Sequence, residues 1–285
     1  MKQIIFVSDM FVDTYRGGAE LTTDALMRGF SQSEDAKIGR INSHALTLEH
    51  IEKASNTHWV VCNFSAVDDE VKIKMCKQSE YSIIEYDYKF CRFRSVEKHK
   101  AITGEDCDCL SHFEGKVNRA FYGYAKKIWF MSEKQKSIFM DYMPNLKEKE
   151  NEVLSSVFYP GDLRFMFSLK DNKKTEPYII LKSESWIKGT KSCIQYADDN
   201  NLEYELVENL PYHELLIKMS TSKGLIFRPL GGDTCPRIVI EAKMLGCDLI
   251  LNEHVQHKDE TWFDSQDSCY GHMDDRTDIF WSYYE

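Results

Sequence analysis

The 285-residue chain contains no apolar run approaching the ~18 residues that a membrane-crossing helix requires. It holds only 6 prolines and 14 glycines and has no internal repeat or low-complexity tract, so collagen-like, disordered and coiled-coil chains are excluded. Positive charge is also in short supply: the formal net charge is −10, which argues against a generic nucleic-acid binder. Closely spaced cysteine pairs are nearly absent. The nine cysteines are scattered and odd in number, and Cys107-Asp108-Cys109 is the sole tight pair. Such a pattern reads as free thiols rather than a disulfide framework. His112 alone is a thin complement for zinc beside that pair, so the pair reads as a loop and no metal is expected. The N-terminal run Gln3–Val7 is too short for a signal-peptide core and ends at Ser8-Asp9 without a small-residue cleavage site. A soluble, cytoplasmic protein is expected.

What is present is enough apolar material for a core, 42% of residues, with 13% aromatic. The negative charge is concentrated. From Glu253 onward nine acidic residues face only Lys258 and Arg276, so −7 of the −10 lies there. Basic clusters stand out in the rest: Lys89/Arg92/Arg94/Lys98/Lys100, Lys126/Lys127 and Lys182/Lys188/Lys191. Their ordinary reading is a solvated face, yet the acidic tail means that net charge does not exclude a polyanionic ligand.

Short β-branched or aromatic runs alternate with amphipathic stretches. Strands are predicted at Gln3–Val7, Ala36–Ile41, His58–Cys62, Tyr81–Glu85 and Lys127–Met131. A second set is predicted at Tyr178–Leu181, Glu203–Val207, Gly224–Phe227 and Asp248–Leu251. Helical patterns lie between them, the βαβα rhythm of parallel sheets covered on both faces. Residues 143–152, Tyr159-Pro160-Gly161-Asp162 and Lys170–Glu176 read as breakers. The economical architecture is α/β with two Rossmann-like parallel-sheet domains facing across a cleft. The expected divisions are a first Rossmann-like domain over 1–160, a second over 161–265 and an acidic, aromatic tail over 266–285 that packs back on the first domain. Ligands in such sheets bind beyond the carboxyl ends of strands.

Four strand-to-helix loops carry candidate chemistry. Gly17 and Gly18, with Glu20 following, allow close backbone approach and offer helix N-terminal amides to an anion; an ordinary tight turn is the alternative. Gly231-Gly232-Asp233-Thr234-Cys235-Pro236-Arg237 leads into a helix bearing Glu241. Amides and Arg237 suit phosphate oxygens there, and an acid suits ribose hydroxyls. The plainer reading makes Asp233 or Thr234 a helix cap. Glu241 sits among Ile238, Val239, Ile240 and Ala242, so it is expected on the buried side with a partner. Lys182 and Lys188 flank Ser183-Glu184-Ser185-Trp186-Ile187, where Lys188 suits a diphosphate unless it is simply solvated. Asp87, between Tyr86 and Tyr88 and two residues before Lys89, is a candidate base, and Glu85 is at least as well read as a polar strand end. His44, His254 and His257 are second-line candidates. Neither a P-loop, a dinucleotide fingerprint nor a nucleophile elbow is present.

Taken in order, Gly17-Gly18-Ala19-Glu20, Lys188-Gly189 and Asp233…Glu241-Ala242 resemble the GT-B glycosyltransferases of the family-4 type. Lys127–Ser132 and Tyr159–Asp162 resemble further segments of that family. The resemblance implies a sugar transferred from a nucleoside diphosphate sugar to an acceptor hydroxyl, retaining in outcome and needing neither metal nor other cofactor. It gives Lys188 the phosphate-binding role, with Lys182 as a companion base, and Glu241 the ribose role, with Asp233 in place of the usual first Glu. Gly17, Gly18, Thr234 and Arg237 would surround the diphosphate, while Asp87 or His44 would orient the acceptor. The one-residue-longer Lys182–Lys188 spacing departs from the pattern. Compact enzymes of this style resemble transferases of tailed bacteriophages, so modified DNA is one alternative acceptor beside a glycan or small molecule, and the host cytoplasm the location. A non-catalytic nucleotide- or glycan-binding module is another reading.

Overall fold

The computed structural model describes residues 2–30 and 36–284. Two all-parallel sheets form. The first contains β1 (Lys2–Ser8), β2 (Ala36–Asn42), β3 (Thr57–Val61), β4 (Glu80–Glu85), β5 (Lys127–Phe130) and β6 (Glu150–Val153) in the order β2-β1-β3-β4-β5-β6. The second contains β7 (Tyr178–Leu181), β8 (Tyr204–Val207), β9 (Gly224–Phe227) and β10 (Asp248–Leu251) in the order β10-β9-β7-β8. Central strands such as Tyr81–Glu85 and Gly224–Phe227 are buried along their whole length, as parallel strands covered on both faces must be.

The chain divides into two compact units, Met1–Val157 with Thr277–Glu285, and Phe158–Arg276. In the first, Phe6, Phe64, Phe121, Phe130, Phe139 and Trp129 are fully buried. The returning segment belongs to that core. The Phe280 ring lies 5.4 Å from Trp129 and 6.2 Å from Phe6, and Trp281 Nε1 donates to Leu26 O at 2.9 Å. Residues 266–274, expected in the tail, instead form the helix Gln266–Asp274 within the second unit.

Two predicted breakers prove to be structure. Residues 143–152 form a turn of 3-10 helix, Pro144–Glu148, and then the edge strand β6. An edge strand pairs on one side only and keeps polar side chains, and here Lys127 Nζ donates to Glu152 at 2.9 Å. Pro160 opens the helix Pro160–Leu169, a position where the missing N–H costs nothing.

Candidate functional site

In the second unit the connection from β7 leads through the helix Thr190–Asp199 to β8 on one side, while β9 leads through the helix Arg237–Met244 to β10 on the other. The loops after β7 and β9 therefore diverge from neighbouring strands, the switch point where open parallel sheets take ligands. Lys188 and Asp233 meet there, Nζ to Oδ2 at 2.7 Å. Backbone bonds knit the loops together. Leu230 N donates to Ile187 O at 3.1 Å, Asp233 N to His254 O at 2.9 Å and Gln256 N to Asp233 O at 3.1 Å. Asn252 Nδ2 adds a bond to Pro229 O at 2.8 Å. Three strand-end loops thus form one rigid rim carrying a partly exposed ammonium.

Gly189 makes the rim possible. Its φ is +62°, and a Cβ there would strike the carbonyl oxygen of Arg228. Left-handed backbone and close approach both demand glycine.

Behind the rim, the helix Arg237–Met244 buries Arg237 and Glu241 at 5% and 3% exposure. Arg237 Nε lies 3.5 Å from Glu241 Oε1, Tyr212 Oη donates to the same oxygen at 2.9 Å, and the guanidinium stacks 3.8 Å from the Phe158 ring centroid. Burial raises the Glu241 carboxyl above its ordinary range, and Arg237 and Tyr212 offset part of that rise. The partner that a buried Glu241 requires is therefore Arg237 with Tyr212.

Other expected donor ligands stand differently. Arg237 spends its guanidinium inside this cluster. Lys182 pairs at the surface with Glu208 at 2.8 Å, both about half exposed. Thr234 is buried, and the helix opens at Pro236. Arg228, which the sequence reading passed over, sits at the end of β9 with its Nη1 donating to Leu251 O at 3.3 Å and its buried Nε unpartnered among the described residues. Its only sequence signal is that it directly follows a buried strand.

The first sheet has its own switch point between β1 and β3. Asp9, just after β1, accepts from Ser65 N at 3.3 Å, Ala66 N at 3.1 Å and the Ser43 hydroxyl. Arg94 bridges outward from there: its Nη2 donates to Asn63 Oδ1 at 3.1 Å and its Nε to Asp87 Oδ2 at 2.6 Å. Lys89 Nζ reaches Glu85 at 2.8 Å and Asp87 at 3.2 Å, and Tyr122 donates to the other Glu85 oxygen. Gln135 locks the turn by donating to the carbonyls of Glu85 and Asp87 at 2.9 and 2.8 Å.

This arrangement bears on the reading of Asp87 as a base. Burial would raise its carboxyl, but Lys89 and Arg94 outweigh that and hold it below the ordinary carboxylate range. It stays ionised, whereas a general base works best with a pKa near the operating pH. Within the basic cluster 89–100, Lys89 is buried, Arg94 is paired with Asp87 and Lys100 holds Asp106 at 2.9 Å, while Arg92 is exposed. His44 stands exposed in the turn Ser43–Ala45. At Gly17-Gly18 the expected anion cradle is filled by the chain itself, for Glu20 turns back onto the backbone amides of Gly17 and Glu20. A Cβ at Gly17 would run into Glu20 Oε2. Cys107 and Cys109, read as a plain loop, lie against Cys91 and His99.

No family model matches the sequence, and no curated protein matches it by sequence. Solved structures match in three dimensions. A sucrose-phosphate synthase from Thermosynechococcus elongatus superposes with a TM-score of 0.61 at 9% identity, covering 99% of this chain and 96% of its own. An E. coli trehalose-6-phosphate protein bound with UDP-2-fluoro glucose gives 0.56 at 9% identity, covering 96% and 91%. A UDP-forming α,α-trehalose-phosphate synthase from Burkholderia xenovorans gives 0.55 at 8% identity, covering 100% and 98%. The chain has the GT-B fold. No helix among its described residues is long and apolar enough to cross a membrane.

Two properties of this GT-B chain can be checked on the second unit without a ligand. Gly189→Ala is expected to destabilise it by about 1–3 kcal/mol, the cost of forcing a side chain into that backbone region, read as a lower urea midpoint at unchanged slope. His257 is fully buried and stacks on Trp262 at 5.3 Å. Desolvation, helped by His272, pulls its pKa down to about 3 from 6.5. A neutral native histidine that must ionise on unfolding loses stability as pH falls below 6.5. Between pH 6.5 and 5 the wild type should therefore lose about 1.6 kcal/mol relative to His257→Leu. Parallel urea curves at the two pH values would show it, and an unchanged difference would refute it.

Proposed function

We propose that this chain is a glycosyltransferase that takes its sugar from a nucleoside diphosphate sugar, bound at the switch point of the second sheet. The observation that carries the reading is Lys188, partly exposed and held by Asp233 where the β7 and β9 loops meet. A pyrophosphate leaving group develops charge as the glycosidic bond breaks, and a preorganised ammonium in a fixed loop stabilises that charge without reorganising. On binding, the phosphate would compete with Asp233 for Lys188, and Glu241 with Tyr212 would receive the ribose hydroxyls. The ionised Asp87, held by Lys89 and Arg94, would orient an acceptor hydroxyl rather than remove its proton. That division of labour fits a retaining transfer without metal at the leaving group.

UDP is the first nucleotide to test, because two of the similar structures are described as UDP-forming or bound with a UDP-sugar analogue. A calorimetric screen of UDP, GDP and ADP, followed by assays of donor hydrolysis and transfer, tests the reading. Saturable binding of one diphosphate with slow donor hydrolysis is expected. Binding without any turnover would favour the non-catalytic module, and no binding of any of the three would overturn the assignment.

A further inference from the structure

Between β4 and the helix Phe113–Tyr124 runs a long segment whose regular structure among the described residues is the helix Val96–Thr103 and a short 3-10 turn. It carries Asp87, Lys89 and Arg94, so something must hold it in one conformation. Four side chains converge inside it. The ligand-capable atoms of Cys91, His99, Cys107 and Cys109 all lie within 4.8 Å of one another. Cys91, His99 and Cys109 are buried.

The geometry is more specific than a packing of small apolar thiols. His99 Nδ1 points at two sulfurs, 3.7 Å from Cys91 Sγ and 3.5 Å from Cys109 Sγ. Tetrahedral zinc, with Zn–S about 2.3 Å and Zn–N about 2.0–2.1 Å, sets its sulfur and nitrogen ligands about 3.6 Å apart. Behind the ring, His99 Nε2 faces Asp108 Oδ1 at 3.8 Å, the kind of carboxylate that orients a metal-bound imidazole. A backbone amide is aimed at one of the sulfurs: Arg92 N donates to Cys109 Sγ at 3.4 Å. Such a donor favours the thiolate, the form that binds metal.

We propose that Cys91, His99, Cys107 and Cys109 form a structural Zn²⁺ site that staples the segment bearing Asp87 and Arg94. Three thiols release their protons to solvent as the ion enters, and the Cys91 thiol gives up its 3.4 Å contact with Ser95 O. Four protein ligands leave no open position, so the ion holds the fold and takes no part in chemistry. The proposal does not depend on the donor site and is read by metal binding alone.

The test uses the full chain, reduced and stripped with a chelator, then titrated with Zn²⁺ against a chromophoric competitor. One Zn²⁺ per chain is expected, weakened at least 100-fold by His99→Ala or Cys109→Ser and unchanged by Cys269→Ala, whose buried thiol belongs to the second unit and is not among the four clustered side chains. A ligand variant that unfolds would be uninformative, so the wild type is also titrated with Co²⁺. A tetrahedral spectrum with thiolate charge-transfer bands is expected. Zn²⁺ should also slow alkylation of Cys91, Cys107 and Cys109 at least tenfold while leaving Cys76 unaffected. Absence of saturable Zn²⁺ binding, an octahedral Co²⁺ spectrum, protection of other cysteines, or a disulfide among these four positions would overturn the proposal.

Discussion

Lys188→Ala is expected to lower turnover of the nucleoside diphosphate sugar by about 10²–10³-fold, the usual cost of deleting one preorganised charge-stabilising donor. The loss should fall mainly on kcat, because the charge that Lys188 offsets grows only as the leaving group departs. Folding should change little. Asp233 keeps its backbone bonds to His254 and Gln256, and the lost ion pair is partly exposed at both ends, where such pairs contribute about 0–1 kcal/mol. Near-wild-type kcat in a folded Lys188→Ala would remove the residue from the proposed machinery. Lys182→Ala is the control, since that ammonium sits on Glu208 at the surface.

Lys89→Met should be the most destabilising single change in the first unit, by about 3–5 kcal/mol, because it strips the cation from a buried pair. The Lys89 and Glu85 side chains are 2% and 0% exposed. Burial pushes the Glu85 carboxyl upward and Lys89 is the principal group opposing it, so without Lys89 the carboxyl rises further. A raised native carboxyl favours folding at low pH and loses that advantage as pH climbs. The penalty should therefore be larger at pH 8 than at pH 5. Glu85→Gln combined with Lys89→Met should recover much of the loss, since the pair is then removed rather than broken. Urea unfolding of the three proteins at both pH values distinguishes this from a simple loss of packing, which would show neither the pH dependence nor the recovery.

The strand cores were legible because buried parallel strands are uninterrupted apolar runs: Tyr178–Leu181 and Gly224–Phe227 occur where the sequence places them. β6 was not, because Glu150-Asn151-Glu152 is polar as an edge strand can be. Loop positions such as Lys188 and Asp233 were legible singly, but they lie 45 residues apart and only the sheet order makes them neighbours. The same holds for Arg94, whose partners Asp9, Asn63 and Asp87 come from three strand ends. Arg237 showed the limit of reading by residue type: an arginine at a helix start suggests a phosphate ligand, yet a carboxylate one turn on and two aromatic rings draw it inward. Cys107 and Cys109 stood out as a pair, but their neighbours Cys91 and His99 precede them at intervals of eight residues, outside the short spacings by which metal sites are recognised in sequence.

The return of Thr277–Tyr284 to the first unit has a consequence for the order of events during synthesis. The ribosome delivers all of Phe158–Arg276 before it delivers Phe280 and Trp281, the rings that close against Phe6 and Trp129. The half encoded first is thus obliged to finish second. While the nascent chain waits, the surfaces of Phe6, Leu26 and Trp129 destined for those rings remain uncovered, which is when a domain of this kind is most exposed to chaperone capture or aggregation.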